Sequence, residues 1–363
     1  MTAAQPLTRH EVRAVVLRHA AALDATRPAN PFARALWTLH FIDQVARDDW
    51  QFFAVHGSGQ SLCLLYSEPA APSALRALTN YYASQYTPFA GPAAADGCAA
   101  VVQQLSAAST VDLAPLSIAD AEAAEQAFRG AGWLTRRYQC FGNWTLPADG
   151  LAFDAFMAAR PSQLVNTWRR KAKKFSPGNA DARLQIVTAP EDVDAAMRAY
   201  DAIYAKSWKQ PEPYPAFVGD WARLCAAQGW LRLGIAWSGS TPIAAQFWFT
   251  IERRAYIFKL AYDEAFSQLS AGTVLSAHLF KHSLDVDRVV EIDYLTGDDA
   301  YKRQWMTERR ARVGVVACNP RTLRGALRGA CEWTGALRQR VRRAPAIVAH
   351  EPGTAEPAMV SQS

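Results

Sequence analysis

Apolar positions change period several times between residues 183 and 305, and each change predicts an element. RLQIVT (183–188) alternates, the mark of a half-buried strand, and DVDAAMRAYDAIYAKSW (192–208) places apolar residues at helical spacing. Tyr256–Tyr262 reads as a strand and Ser270-Ala271-Gly272-Thr273 as a loop feeding a helix through about Leu284. A second strand over Val289–Leu295 leads to a turn at Gly297 and a helix bearing Tyr301, Lys302 and Trp305. Upstream, residues 151–176 read as helical.

The pattern repeats at an offset of about 180 residues. Trp50 precedes Ser58-Gly59 as Trp230 precedes Ser238-Gly239, and both stretches read as strand, tight hairpin and returning strand (LCLLY at 62–66, AAQFWF at 244–249). In the same register the strand VDL (111–113) matches EID (291–293), TRRYQCF (135–141) falls near ARVGVVA (311–317), and the helical pattern at 119–131 matches 299–311. The expectation is an α/β (α+β) protein of two tandem modules, each a twisted, mostly antiparallel sheet flanked by helices. Their bounds are placed at 1–150 and 151–320. A basic amphipathic helix at 321–343 follows, its stripe Leu323, Leu327, Ala330, Trp333, Leu337 and Val341 expected to dock on the second half. Residues 344–363 are expected to be disordered.

The halves differ in chemistry. Where the second has Ser270-Ala271-Gly272-Thr273, the first has Ala90-Gly91-Pro92-Ala93, and proline has no N–H to donate. Where the second has Tyr301-Lys302, the first has Ala121-Glu122, which would repel a phosphate. The first half is therefore expected to help form the acceptor side and the second to hold the chemistry.

Composition adds three constraints. The balance of 39 basic and 33 acidic residues, a formal +6, favours anionic partners but is too mild to argue for nucleic acid. Six cysteines without CxxC or metal-ligand spacing fit buried thiols in a reducing compartment. Twelve tryptophans exceed the needs of a core, so some are expected to line a cleft. No apolar run long enough to span a bilayer or to serve as a secretory leader is present, which makes the cytoplasm the expectation.

A small-residue loop feeding a helix offers unpaired N–H groups and a positive dipole end to an anion, as required to hold the pyrophosphate of a carrier such as coenzyme A. The order Tyr262-Asp263, Leu269-Ser270-x-Gly272, Ile292-Asp293-Tyr294 with Gly297, then Tyr301-Lys302 and Trp305, preceded by FMAARPSQLVNTWRRKAKKF (156–175), resembles the GNAT acyltransferase superfamily. It is most similar to the branch with the BioF2-like or CelD-like acetyltransferase domain, a relative of the FemAB peptidoglycan-bridge transferases. The resemblance covers roughly residues 150–320.

The resemblance implies acyl transfer from an acyl thioester, acyl-CoA (acetyl-CoA) or acyl carrier protein, to an amine or hydroxyl of a small molecule, exopolysaccharide or envelope precursor. It places the donor carbonyl on a backbone N–H of Tyr256–Tyr262, and the pyrophosphate on Ser270, Ala271, Gly272 and Thr273, with Tyr262 beside them. Lys302, Asp263, Asp293 and Tyr301 are its catalytic candidates, and Asp293 is alternatively an orienter of Lys302. Lys302→Ala and Gly272→Pro are expected to lower transfer and leave the melting temperature nearly unchanged.

Glu264, Asp298 and Asp299 are further carboxylates, with Asp298 equally readable as a helix cap. His278 and His282 sit i, i+4 but lack a third ligand and the glutamate of the metalloprotease motif, so no metal is expected. The cluster Trp168-Arg169-Arg170-Lys171-Lys173-Lys174 reads either as a landing surface for a polyanion or as a solvated helix face. Two further readings stay open: a FemAB-like transferase using aminoacyl-tRNA, and a degenerate, non-catalytic binding protein. Peripheral contact with the inner membrane through the final helix is also kept.

Overall fold

The computed structural model describes residues 3–56, 62–88, 94–176 and 181–342. In chain order its elements begin with α1 (Arg9–Arg18), α2 (Ala20–Thr26), α3 (Ala35–Gln44), β1 (Gln51–His56), β2 (Leu62–Ser67) and β3 (Ala74–Ala77). Then come α4 (Ala94–Gln104), β4 (Thr110–Leu116), α5 (Ile118–Gly130), β5 (Leu134–Pro147), α6 (Phe153–Ala158) and α7 (Ser162–Ala172). The second half continues with β6 (Ala182–Val187), α8 (Val193–Tyr204), α9 (Pro215–Ala227), β7 (Leu231–Ser238), β8 (Thr241–Ile251) and β9 (Arg254–Tyr262). It closes with α10 (Ala271–Lys281), β10 (Glu291–Asp293), β11 (Glu308–Cys318) and α11 (Leu323–Arg342).

Over the described residues the chain forms two compact units, 3–142 with 311–342, and 143–310. The expected boundary near residue 150 therefore falls earlier, and the first unit takes in most of β11. The reason lies in strand pairing. β4 finds its antiparallel neighbour in β11, with Val315 opposite Leu113, while β10 pairs with the end of β5, Ile292 opposite Leu146. The last strand of each sequence half completes the sheet of the other unit.

Unit 1 orders its strands β1-β2-β3-β4-β11-β5. All described neighbour pairs are antiparallel except β3 with β4. Its core gathers Val101 and Leu105 of α4, Ala121 and Phe128 of α5, and Val111, Leu113, Val313 and Val315 of the sheet. α1 opens with a reciprocal capping box between Thr8 and Glu11. α11 departs from expectation: Leu323 and Leu327 are 79% and 60% exposed, and Gly325 and Gly329 form the packed face instead. A Cβ on Gly325 would lie 2.2 Å from the Asn319 carbonyl and 2.6 Å from that of Ser109, so the helix seats on backbone where only glycine fits. Side chains beyond Glu332, and the tail expected at 344–363, lie outside the described residues.

Unit 2 orders β5-β10-β9-β8-β7-β6, antiparallel except for β10 beside β9. β8 is its central strand, with Ile243–Phe249 wholly buried. Alternation splits the strand between two faces. Gly234 and its partner Gln246 face α10, where a Cβ on Gly234 would sit 2.8 Å from Leu279, while Phe249 on the other face meets Trp221 of α9 edge-on at 5.7 Å. α8 buries Val193, Ala196, Met197, Tyr200 and Ile203, the helical stripe read from the sequence.

The repeat of about 180 residues holds for α1 and α8, α3 and α9, β1 and β7, β2 and β8, β3 and β9, α4 and α10, and β4 and β10. It breaks after that. The helix expected over 299–311 is a short 3-10 turn, Lys302–Gln304, and by Glu308 the chain is already strand β11. Two left-handed residues, Leu295 (φ 54°) and Gly297 (φ 107°), turn the chain out of the strand β10, which is also shorter than its expected span of 289–295.

Candidate active site

β9 is held on one side by β8 along its length but on the other by β10 only from Arg254 to Tyr256. From Ile257 to Tyr262 no strand pairs with that edge among the described residues, so a wedge opens between β9 and the chain leaving β10. The β8–β9 register jumps from Trp248–Ile257 to Phe247–Lys259, which makes Phe258 the extra residue of a bulge within this stretch. Backbone N–H and C=O groups on an open strand edge need partners. A ligand carbonyl or amide can supply them.

The far wall is the loop 294–299, pinned by buried groups. Asp293 Oδ1 accepts from Asn143 Nδ2 at 2.6 Å and from the Leu295 N–H at 2.7 Å, and so fixes the left-handed turn. Lys302 is 3% exposed; its Nζ donates to the carbonyls of Thr296 (2.5 Å), Gly297 (3.2 Å) and Tyr294 (3.5 Å), pairs with Asp299 at 3.2 Å and lies 5.1 Å over the Tyr294 ring. Burial pushes its pKa down, while Asp299 holds it up. Tyr301 packs edge-on against Tyr294 at 5.7 Å, and burial raises its hydroxyl pKa further above the usual range. Lys302, Asp293 and Tyr301 thus come together around one loop. Lys302 spends its donors on that loop, so its removal cannot leave stability nearly unchanged as expected.

The remaining candidates gather at the near end, where β9 runs into α10. Asp263, buried, accepts the Ala265 N–H at 3.0 Å and has Oδ2 3.6 Å from Lys206. Ser270 adopts a left-handed conformation (φ 49°, ψ 39°) and its side chain caps nothing, so Ala271, Gly272 and Thr273 begin the helix without a side-chain acceptor. That turn is held from beneath, where Gln246 Nε2 donates to the Gly272 carbonyl (3.0 Å) and to Ser276 Oγ (2.7 Å), and Trp248 Nε1 donates to Gln246 Oε1 (3.0 Å). Above it there is room: a Cβ on Gly272 would meet only the Tyr262 ring edge, at 3.8 Å. Tyr262 in turn packs on Trp208 with centroids 4.6 Å apart.

α7 brings its basic end to the same place. Lys171 Nζ donates to the Gln268 carbonyl at 2.5 Å, in the turn just before Ser270, and burial together with Arg170 and Lys174 lowers its pKa. The cluster 168–174 therefore stands beside the start of α10 rather than on a remote face. Its apolar side, Leu164 and Val165, shares the core of Ala271, Val274 and Leu275.

Sequence reasoning missed several residues here. Gln246 and Asn143 are polar residues inside strands, detectable only as interruptions of an apolar pattern. Trp208, Lys209, Glu212 and Lys259 lie close to the wedge, and the signal was the Trp- and Lys-rich run KSWKQPEP that follows α8. Of the other carboxylates, Asp298 binds Arg309 and accepts from Trp144 Nε1 at 2.9 Å, which lowers its pKa. His278 and His282 have pKa values lowered by burial, and no group of three or more possible metal ligands occurs among the described residues. The counterpart loop 90–93 lies outside the described residues. No helix among the described residues is long and apolar enough to cross a membrane.

Residues 162–303 match the family model described as an acetyltransferase (GNAT) domain. None of the curated proteins matches the chain. Among solved structures, the C-terminal domain of a putative lysylphosphatidylglycerol synthetase from Agrobacterium fabrum is similar with a TM-score of 0.55 at 11% identity, over 85% of this chain and 92% of that one. L-PGS from Bacillus licheniformis gives 0.53 at 11% identity, over 92% and 97%. FemX gives 0.55 at 9% identity, over 86% and 96%. At such identities the likeness is one of fold alone, and it extends over most of the chain.

Proposed function

We propose, from the match of residues 162–303 to the model of an acetyltransferase (GNAT) domain, that the chain transfers an acyl group from an acyl thioester, acyl-CoA in the first place, to an amine or hydroxyl. The observation that carries this reading is the wedge beside β9, with a bulge at Phe258 on one wall and an uncapped helix start at its end. In this reading the amides of Ala271, Gly272 and Thr273, with Lys171 close by, take the carrier's pyrophosphate. The pantetheine arm runs along Ile257–Tyr262 as an added strand, and an N–H of that edge donates to the thioester carbonyl.

The nucleophile attacks that carbonyl, negative charge collects on its oxygen, and the C–S bond breaks to release the thiolate. A positioned backbone donor on the oxyanion contributes about 3 kcal/mol, and alignment of the reactants about 7–11 kcal/mol. Asp263, at the end of β9, is the proposed base for the nucleophile's proton. Lys302, Asp293 and Tyr301 act by holding the far wall. The acceptor of this reading is an exopolysaccharide or other envelope precursor, as the CelD-like resemblance implies.

One observation favours a second reading. The basic end of α7 beside the carrier site suits a large polyanionic carrier, aminoacyl-tRNA. Titrating the protein separately with acetyl-CoA and with tRNA at physiological salt decides between them. We expect acetyl-CoA at about 100 times its Kd to stabilise by about 2.7 kcal/mol. Tight binding of tRNA with no thermal shift from acetyl-CoA would replace the first reading by the second.

A further inference from the structure

Among the described residues, the packing of α11 leaves an apolar face of the helix turned to solvent, and acyl transfer makes no use of it. The opposite face is fixed. Gly325 seats on the carbonyls of Asn319 and Ser109, and a Cβ on Gly329 would lie 2.7 Å from Leu134. The start of the helix is anchored too: Asn319 Nδ2 donates to the carbonyls of Ser106 (3.0 Å) and Ala108 (3.1 Å), and Thr322 Oγ1 accepts the Gly325 N–H at 3.1 Å. Further along, Glu332 takes both Arg136 of β5 and Arg328 of its own helix. A helix held in this way cannot roll to hide its other side.

That side carries Leu323 and Leu327, which at helical spacing stand about 160° round the axis from Gly325 and Gly329. They are 79% and 60% exposed, more than any other large apolar residue described in unit 1. Leu134, 37% exposed beside Gly329, borders the same helix. In the sequence, Leu337 and Val341 continue the spacing. Arg321, Arg324 and Arg328 are exposed as well. From Arg321 to Arg343 the sequence has seven arginines and one acidic residue, Glu332, so this stretch alone carries a positive excess as large as that of the whole chain.

Whatever covers this face must bury leucines on the convex side of a single helix and accept a line of arginines next to them. A second copy presenting the same face would set arginine against arginine. An anionic bilayer meets both demands, because its phosphates lie directly above its acyl chains. α11 is not apolar enough to cross a membrane, so it would lie in the plane of the surface. We propose that α11 is a membrane-surface helix: Leu323 and Leu327 enter the edge of the acyl layer, Arg321 and Arg324 contact lipid phosphates, and unit 1 is thereby held on an anionic bilayer.

Co-sedimentation of the full chain with sucrose-loaded vesicles tests this. Binding to phosphatidylcholine vesicles containing about 30% phosphatidylglycerol should be at least about tenfold stronger than to phosphatidylcholine alone. Leu323→Ser combined with Leu327→Ser should weaken it at least about tenfold. Arg321→Gln combined with Arg324→Gln should do the same, again by about tenfold or more. All four side chains are exposed, so both double variants should keep the melting temperature of the parent chain.

No binding to the anionic vesicles, equal binding to both kinds, or binding that the leucine pair does not weaken overturns the proposal. A concentration-dependent dimer abolished by the leucine pair, with no vesicle binding, gives the face to a second copy instead and overturns it too. The inference stands apart from the acyl-transfer reading: α11 belongs to unit 1 and the proposed carrier groove to unit 2, so the acetyl-CoA titration is unaffected by either result.

Discussion

Two helix starts in the same chain are satisfied in opposite ways. α5 in unit 1 opens at Ser117, whose hydroxyl accepts the Asp120 N–H at 3.1 Å; Asp120 in turn accepts from Ser117 (2.6 Å) and from both arms of Arg27 (2.8 and 2.5 Å). The fold supplies that helix with its own anion. α10 in unit 2 opens at a left-handed Ser270, with no side-chain cap and no acidic residue in its first turn. In the proposed reading an anion from outside takes that place. The same contrast recurs one element later. α5 is a regular helix of unit 1, while unit 2 at the matching offset has a 3-10 turn whose Lys302 is folded back under the loop 294–299.

The largest way to break this comparison is Lys302→Met. Three carbonyls and Asp299 lose their buried donor, and we expect about 3 kcal/mol of destabilisation, measured by urea unfolding. Glu122→Ala, at the matching position on the exposed side of α5, should change stability by less than about 0.5 kcal/mol. Equal effects would show that the two positions do equivalent work.

Asp120→Ala comes next. Losing both the cap and the Arg27 pair should cost about 2 kcal/mol, yet leave the Kd for acetyl-CoA unchanged by calorimetry. Gly272→Val is the mirror case: its side chain enters open space, so stability should move by less than about 1 kcal/mol, while acetyl-CoA binding weakens at least about tenfold. Unaltered binding would remove α10 from the donor site.

The smallest effect sharpens the charge difference within unit 2. Lys209 has a folded pKa of about 8, below that of an unfolded lysine. The unfolded chain therefore binds more protons between those values, and stability rises with pH across that window. Below pH 8 the cost of burying the charged ammonium, and its repulsion by Lys259, is fully present, so Lys209→Met should raise the melting temperature there. The gain should fade towards pH 10. A constant difference across the series would show that Lys209 titrates normally.

Much of this was legible in the chain. The alternation of RLQIVT, the helical stripe of α8 and the repeat from β1/β7 to β4/β10 all follow from local periodicity, which packing did not override. The start of α10 was legible too, through Ser270-Ala271-Gly272, although not the conformation of Ser270. What could not be read depends on long-range pairing. Nothing local tells β5 and β11 which sheet each will complete, and nothing in Tyr301-Lys302 says that the lysine turns inward to three carbonyls and stops the helix. Leu323 and Leu327 misled because a helix can pack by its glycines, and Gly325 and Gly329 look like breakers in a sequence. The pairing of Lys259 with Glu212 was invisible too, being brought about only by the fold of unit 2.

The placement of β11 has a consequence for biogenesis. While the chain leaves the ribosome, β4 exposes an unpaired strand edge until residues 311–318 have emerged, even though everything else in its sheet was made much earlier. Unit 2, complete once residue 310 is out, can finish first although it is encoded second. Nascent chains arrested before that last strand should accordingly be protease-sensitive in the first 142 residues and protected in the segment that follows.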